Sequence, residues 1–178
     1  MVLKNPLPFR PITAPAEVSA MRIGVVKESD QETRVAIVPS SLRKLTKSGF
    51  EVVVESGAGL TSSHDDQAYI DAGASIGTRE EALSCPHVLS VGFPGVEGMA
   101  KGTNLVCVAD PFRHPDRVKA CMDAGITLMS MDMIPRRLSR AQSMDVNSSQ
   151  DNLAGYKAVL LGAAHVPKGI PMMTTSAG

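Results

Sequence analysis

The sequence predicts an α/β protein: an open, mostly parallel β-sheet followed by one long C-terminal helix. Short apolar runs recur between polar helical segments, glycines stand where those helices must stop, and the order reads β-α-β-α-β-β-α-β. Arg22-Ile-Gly-Val-Val26 opens the first strand, and residues 27–34 form a polar loop. A helix carrying Leu42 and Leu45 follows, with Ser40 as its expected N-cap and Gly49 at its C′ position. Phe50 to Glu55 contains the β-branched run Glu-Val-Val-Val-Glu and is the second strand. Asp65 to Ala72 makes a short helix that Gly73 stops. His87 to Val91 and Asn104 to Ala109 are compact apolar runs of the kind buried parallel strands show. His114 to Ala124 is helical up to Gly125, and Ile126 to Met129 is the next strand. Asp145 to His165 then reads as one long helix with Leu153, Val159, Leu160 and Ala164 on its apolar side, stopped by Pro167 and Gly169.

Composition bounds the function classes. A chain of 178 residues, 43% of them hydrophobic, can bury a core without disulfide or metal staples. Lys and Arg number 18, as do Asp and Glu, so no basic excess awaits a polyanion. Four Phe, two Tyr and no Trp leave little for base stacking, and no nucleic-acid partner is expected. The longest stretch free of charged residues, Ala82 to Val96, is interrupted by Gly and Pro and falls short of the ~20 apolar residues that span a bilayer, so no direct membrane insertion is expected. Cys85, Cys107 and Cys121 are odd in number and lack a Cys-x-x-Cys pair; they read as buried thiols in a reducing compartment. His64, His87, His114 and His165 lack metal-ligand spacing and read as surface or helix-end residues, so no metal site is expected. Residues 1–21, with Pro6, Pro8, Pro11 and Pro15, show no periodicity and no signal-peptide core, and are expected to be a flexible leader.

Little of the remaining sequence carries a chemical signature. Gly57-Ala-Gly59 follows a strand but lacks a third glycine and an apolar helix start, so it reads as a strand-exit turn rather than a dinucleotide fingerprint. No Walker sequence and no Gly-x-Ser-x-Gly elbow occurs. The segment Arg137-Leu-Ser-Arg140-Ala-Gln142-Ser-Met-Asp145-Val-Asn-Ser148 is different. It gathers guanidinium, amide, carboxylate and hydroxyl groups at the entry to a helix. Two readings stand side by side: Gln142 and Asp145 reading a carboxamide from opposite sides with an arginine fork nearby, or Ser143 or Asp145 capping the helix while the arginines are solvated.

Longer matches narrow the choice. Arg22-Ile-Gly-Val-Val-Lys-Glu-Ser29 and Glu32-Thr-Arg-Val-Ala-Ile-Val-Pro39 resemble the opening shared by alanine dehydrogenases and proton-translocating NAD(P)+ transhydrogenases, and Val54-Glu-Ser-Gly-Ala-Gly59 resembles their next landmark. Ile134-Pro-Arg136, Ser139-Arg-Ala-Gln-Ser-Met-Asp145 and Ser148-Ser-Gln-Asp-Asn-Leu-Ala-Gly-Tyr156-Lys-Ala-Val159 are similar to the transhydrogenase α subunit in particular. Met172-Met-Thr-Thr-Ser-Ala-Gly178 resembles the stretch just before that subunit's NAD-binding Rossmann unit.

The resemblance, which runs from about Arg22 to Gly178, implies a Rossmann-like lobe over residues 22–135, a nicotinamide-side loop and connecting helix over 136–166, and over 167–178 the start of a linker to an NAD-binding Rossmann domain absent from this chain. It implies that Arg137, Leu138, Ser139, Gln142, Asp145 and Ser148 contact the nicotinamide end of NAD(H), with Gln142 and Asp145 closest to the chemistry. NADP(H) would be carried by a partner domain or β subunit, and hydride transfer between the two would be coupled to proton translocation by a membrane domain. The chain would form a homodimer on the cytoplasmic face of the membrane, held there through its partners, and would be inactive in isolation.

This sequence also departs from the family pattern. Pro135-Arg-Arg-Leu-Ser-Arg140 is one residue longer than the usual Pro-Arg-Ile-Ser-Arg, so Arg136 competes with Arg137 for the nicotinamide contact; the intact downstream spacing favours Arg137. Ser90 stands where the family often has the lysine that alanine dehydrogenases use for pyruvate, and Asp110 where they place an acid–base histidine. Alanine dehydrogenase-like catalysis is therefore disfavoured, and a non-catalytic interaction or dimerisation lobe is the competing reading.

Overall fold

Six strands form a single, entirely parallel sheet in the order β3-β2-β1-β4-β5-β6. They are β1 (Arg22–Val25), β2 (Glu51–Glu55), β3 (Ser75–Gly77), β4 (His87–Leu89), β5 (Asn104–Cys107) and β6 (Thr127–Ser130). The helices are α1 (Pro39–Lys47), α2 (Asp66–Asp71), α3 (Arg79–Leu83), α4 (Pro115–Ala124) and α5 (Val146–His165). The chain is seen in a computed structural model that describes residues 21–168. The expected leader, apart from Met21, and the expected linker beyond Lys168 lie outside the described residues.

The alternation of buried strand residues builds two cores, one on each face. Ile23, Val25, Val52 and Val54 meet Leu42 of α1 and Tyr69 and Ala72 of α2. Val26, Val88, Leu105 and Cys107 meet Ala82 and Leu83 of α3 and Cys121 of α4 on the other face. Tyr69 is fully buried, and its hydroxyl donates to the carbonyl of Ile37 at 2.9 Å, which ties α2 to the loop before α1. Gly24 lies so close under α3 that a Cβ would collide with the carbonyl group of Ala82. No helix joins β4 to β5; the connection instead lays Phe93, Val96 and Met99 against the second core.

The elements depart from sequence expectation at a few places. β3 and α3 are additional, and α3 opens with a capping box in which Thr78 accepts from the Glu81 N–H at 3.2 Å and Glu81 accepts from the Thr78 N–H at 2.8 Å. The N-cap of α1 is Val38, with Pro39 in the first helical position, so Ser40 sits inside the first turn and caps nothing. Gly49 (φ 87°) and Gly125 (φ 68°) end their helices in the left-handed region, as expected. Gly59 packs under Tyr69, in keeping with a strand-exit turn. Long helix α5 buries none of its residues: the expected apolar side, with Leu153, Val159 and Leu160, is uncovered among the described residues. No described helix is long and apolar enough to cross a membrane.

Candidate functional site

The carboxyl ends of β4, β5 and β6 and the first turns of α5 enclose the features that could carry chemistry. Loop 135–145 returns on itself through consecutive turns: Leu138 N–H donates to Pro135 O at 3.1 Å, Ala141 N–H to Leu138 O at 2.8 Å and Met144 N–H to Ala141 O at 2.9 Å. Ala141 is its buried foot. Asp145 then caps α5. One carboxylate oxygen accepts the Ser148 N–H at 3.0 Å, and the other accepts the Ser148 hydroxyl at 2.5 Å. These two donors, with Arg136 at 3.7 Å, hold the Asp145 carboxyl below the usual aspartate value.

Asp145 and Ser148 are therefore brought into direct contact. Arg137, Leu138, Ser139 and Gln142 lie on the exposed turns just before them, and Arg137 and Gln142 make no side-chain hydrogen bond or ion pair among the described residues. Arg136 is engaged instead, between Asp145 and Asp151 (3.8 Å). The capping role of Asp145 and the solvation of Arg137 match the second of the two readings of this segment. They do not oppose the first, since the free guanidinium and amide remain available to a ligand.

Beside this loop lies an apolar cleft of about 540 Å³, lined by Leu89, Val91, Val106, Val108 and Met131, with Arg34, Asn147 and Gln150 along its rim. Arg34 is locked to Glu32 by paired bonds, Nε to Oε1 at 2.8 Å and Nη2 to Oε2 at 2.6 Å; the pairing lowers the Glu32 pKa and raises that of Arg34. Asp132, just after β6, accepts the Ser130 hydroxyl at 2.5 Å and the Asp110 N–H at 3.1 Å. Asp110 holds a left-handed backbone (φ 46°) there, a conformation that Asp tolerates better than most residues. Ser90 donates its hydroxyl to Glu28 at 2.9 Å, and the same carboxylate receives the N–H groups of Val91 and Gly92. Glu28, Arg34, Asp132, Asn147 and Gln150 were not singled out by sequence reasoning. Only the i, i+3 spacing of Asn147 and Gln150, which puts them on one helix face, could have pointed to a pair.

The cysteines are buried, as expected, and burial beside the Cys121 thiol pushes Cys107 up to about 12. Among the described residues no cluster of His, Cys, Asp or Glu is placed to hold a metal.

An all-parallel sheet in this order, with a cleft at the carboxyl ends of its strands, defines a Rossmann-like α/β protein. Residues 24–154 match the family described as alanine dehydrogenase/PNT, N-terminal domain, and the chain belongs to that family. It is 41% identical over 169 residues to an NAD(P) transhydrogenase subunit alpha polypeptide of Rhodospirillum rubrum, covering 89% of this chain and 44% of the relative. To the alanine dehydrogenase of Bacillus subtilis it is 31% identical over 153 residues, 83% of this chain and 39% of that enzyme. The crystal structure of transhydrogenase from Sinorhizobium meliloti superposes with a TM-score of 0.81 at 43% identity, over 88% of this chain and 48% of that one. The chain thus spans less than half the length of these relatives.

Proposed function

We propose that this chain is the N-terminal, nicotinamide-side portion of the NAD(H)-binding component of a proton-translocating transhydrogenase. Its relatives include chains named as transhydrogenase α subunits, and the observation that carries the reading is local: Asp145 and Ser148 are joined at the mouth of α5 while Arg137 and Gln142 beside them have no side-chain partner among the described residues. A carboxamide needs a donor and an acceptor, and the free amide of Gln142 offers both, with the Arg137 fork adjacent. NAD(H) fits this donor set at its nicotinamide end. No described segment supplies a glycine-rich pyrophosphate cradle, so binding through this chain alone is weak.

The chemistry then belongs to the cofactors. Hydride passes directly between NAD(H) here and NADP(H) on a partner domain or β subunit, which requires the two rings at roughly 3–3.5 Å. Proton translocation falls to a membrane domain, which holds this chain at the cytoplasmic face. Within this chain, residues 136–148 orient the ring and exclude competing geometries. Saturation-transfer NMR with NADH tests the reading: saturation should reach the nicotinamide protons of NADH in preference to its adenine protons. Preferential saturation of adenine, or micromolar affinity for this chain alone, would contradict it.

A second reading has its own observation. α5 exposes Leu153, Tyr156, Val159, Leu160 and Leu161, a nearly continuous apolar surface of the kind helices bury. A dimerisation or interaction lobe would cover it, and sedimentation velocity showing a tight, ligand-free homodimer would favour that reading. Alanine dehydrogenase activity fits less well, because Ser90 is committed to Glu28.

A further inference from the structure

Helix α5 buries no side chain, yet its first turns are not free of the lobe. Asn147 Nδ2 donates to the carbonyl oxygen of Asp132 at 3.2 Å, and Gln150 Oε1 accepts from Arg34 Nη1 at 2.9 Å. Three positions apart, Asn147 and Gln150 share one face of the helix, and both line the apolar cleft. Each partner is itself held. Arg34 is clamped by Glu32 in the loop after β1, while Asp132 receives Ser130 from β6 and the Asp110 N–H from the loop after β5. Two separate loops of the sheet's carboxyl end therefore reach the same helix face, one polar contact each.

We infer that Asn147 and Gln150 are positioning residues for the 137–148 segment: their tethers to Asp132 and Arg34 set where the mouth of α5, with Asp145 and Ser148, stands over the cleft. Apart from buried Ala141 in the loop and half-buried Val146 against the cleft, this segment packs no apolar side chain on the lobe, so packing holds the mouth of α5 only at those two points. The cap formed by Asp145 does not fix that placement, because all of its bonds to Ser148 lie within the helix's own first turn. One side-chain hydrogen bond, whether the neutral one from Asn147 or the charge-assisted one from Arg34, contributes a modest stabilisation, so losing one tether should loosen the junction without unfolding the lobe. The functional consequence rests on the nicotinamide-side reading; the tethers themselves do not.

Opposed substitutions test this in the 178-residue chain. Asn147→Asp keeps the shape and places an acid in the first turn, where the helix dipole favours it, but removes the donor and sets a carboxylate against the Asp132 carbonyl. Gln150→Glu replaces an amide acceptor with a charged one facing Arg34. Amide hydrogen exchange at residues 149–153, read against the global unfolding midpoint, should accelerate roughly three- to tenfold in Asn147→Asp and slow by a similar factor in Gln150→Glu, with the midpoint little changed. If these residues served only helix propensity and charge, Asn147→Asp would slow exchange or leave it unchanged, and that result overturns the inference. Nicotinamide-proton saturation by NADH should fall in Asn147→Asp and rise in Gln150→Glu. Exchange that responds as expected while the parent chain saturates no nicotinamide proton would uphold the tethers and reject the nicotinamide-side reading alone.

Discussion

The carboxylate of Asp145 accepts both the backbone N–H and the hydroxyl of Ser148, at 3.0 and 2.5 Å. Two residues that the family resemblance assigns to one ligand thus form a single hydrogen-bonded unit at the start of α5, and a change at either one alters the other's surroundings.

That unit has a definite pH response. Its bonds to Ser148, aided by Arg136, hold the Asp145 pKa in the folded chain below its ordinary value of 3.8. The stability it contributes is therefore fully present above the unfolded value and is lost as pH falls through the lower, folded value. The Ser148 amide resonance should follow this titration with a midpoint below 3.8. A midpoint at or above that value would show the carboxylate to be unbonded in solution. Asp145→Ala should abolish the transition and fray the first turn of α5.

Removing the Tyr69 hydroxyl strands a partner. Tyr69→Phe keeps the packing of the first core but leaves the Ile37 carbonyl without its donor, costing about 1–2 kcal/mol in urea unfolding. A neutral result would mean that water reaches this carbonyl.

Gly24 is required by space rather than by backbone freedom. A Cβ would collide with the backbone of Ala82, so Gly24→Ala forces α3 away from β1 and should cost about 3 kcal/mol or more, seen as a lowered unfolding midpoint. Full retention of stability would contradict the close β1–α3 approach.

Cys85, Cys107 and Cys121 should resist thiol reagents in the native chain at neutral pH, because burial keeps each as the protonated thiol. All should react once the chain is unfolded. Rapid labelling of native Cys107 would be inconsistent with its buried place between β5 and α4.

Much of the fold was legible because its strands are short apolar runs bounded by glycines at helix ends: β1, β2, β5 and α4 all fall within a residue or two of expectation. β3 and α3 are not legible in the sequence because Ser75–Gly77 and Arg79–Leu83 are too short for a periodic pattern. The signal present there was chemical: Thr78-x-x-Glu81 is a capping box readable from sequence. Ser40 misled for a related reason, since Pro39 starts the helix one position earlier and leaves the serine nothing to cap.

The site divides in the same way. The contact between Asp145 and Ser148 is local, and its residue types at that spacing announce a helix start. The Arg34–Gln150 and Asp132–Asn147 contacts tie two separate loops to α5 and form only after the parallel strands have assembled, so no local pattern of sequence displays them. The apolar residues of α5 are evident in the sequence, but nothing in the described chain covers them.

The most direct test is a two-dimensional ¹⁵N NMR titration of this chain with NADH and, separately, with ADP-ribose, which lacks the nicotinamide. NADH should shift the amides of Gln142, Asp145 and Ser148, with an affinity weaker than micromolar, and ADP-ribose should leave them in place. Equal shifts from both ligands, or none from NADH within residues 137–148, would contradict a nicotinamide-side role for this loop.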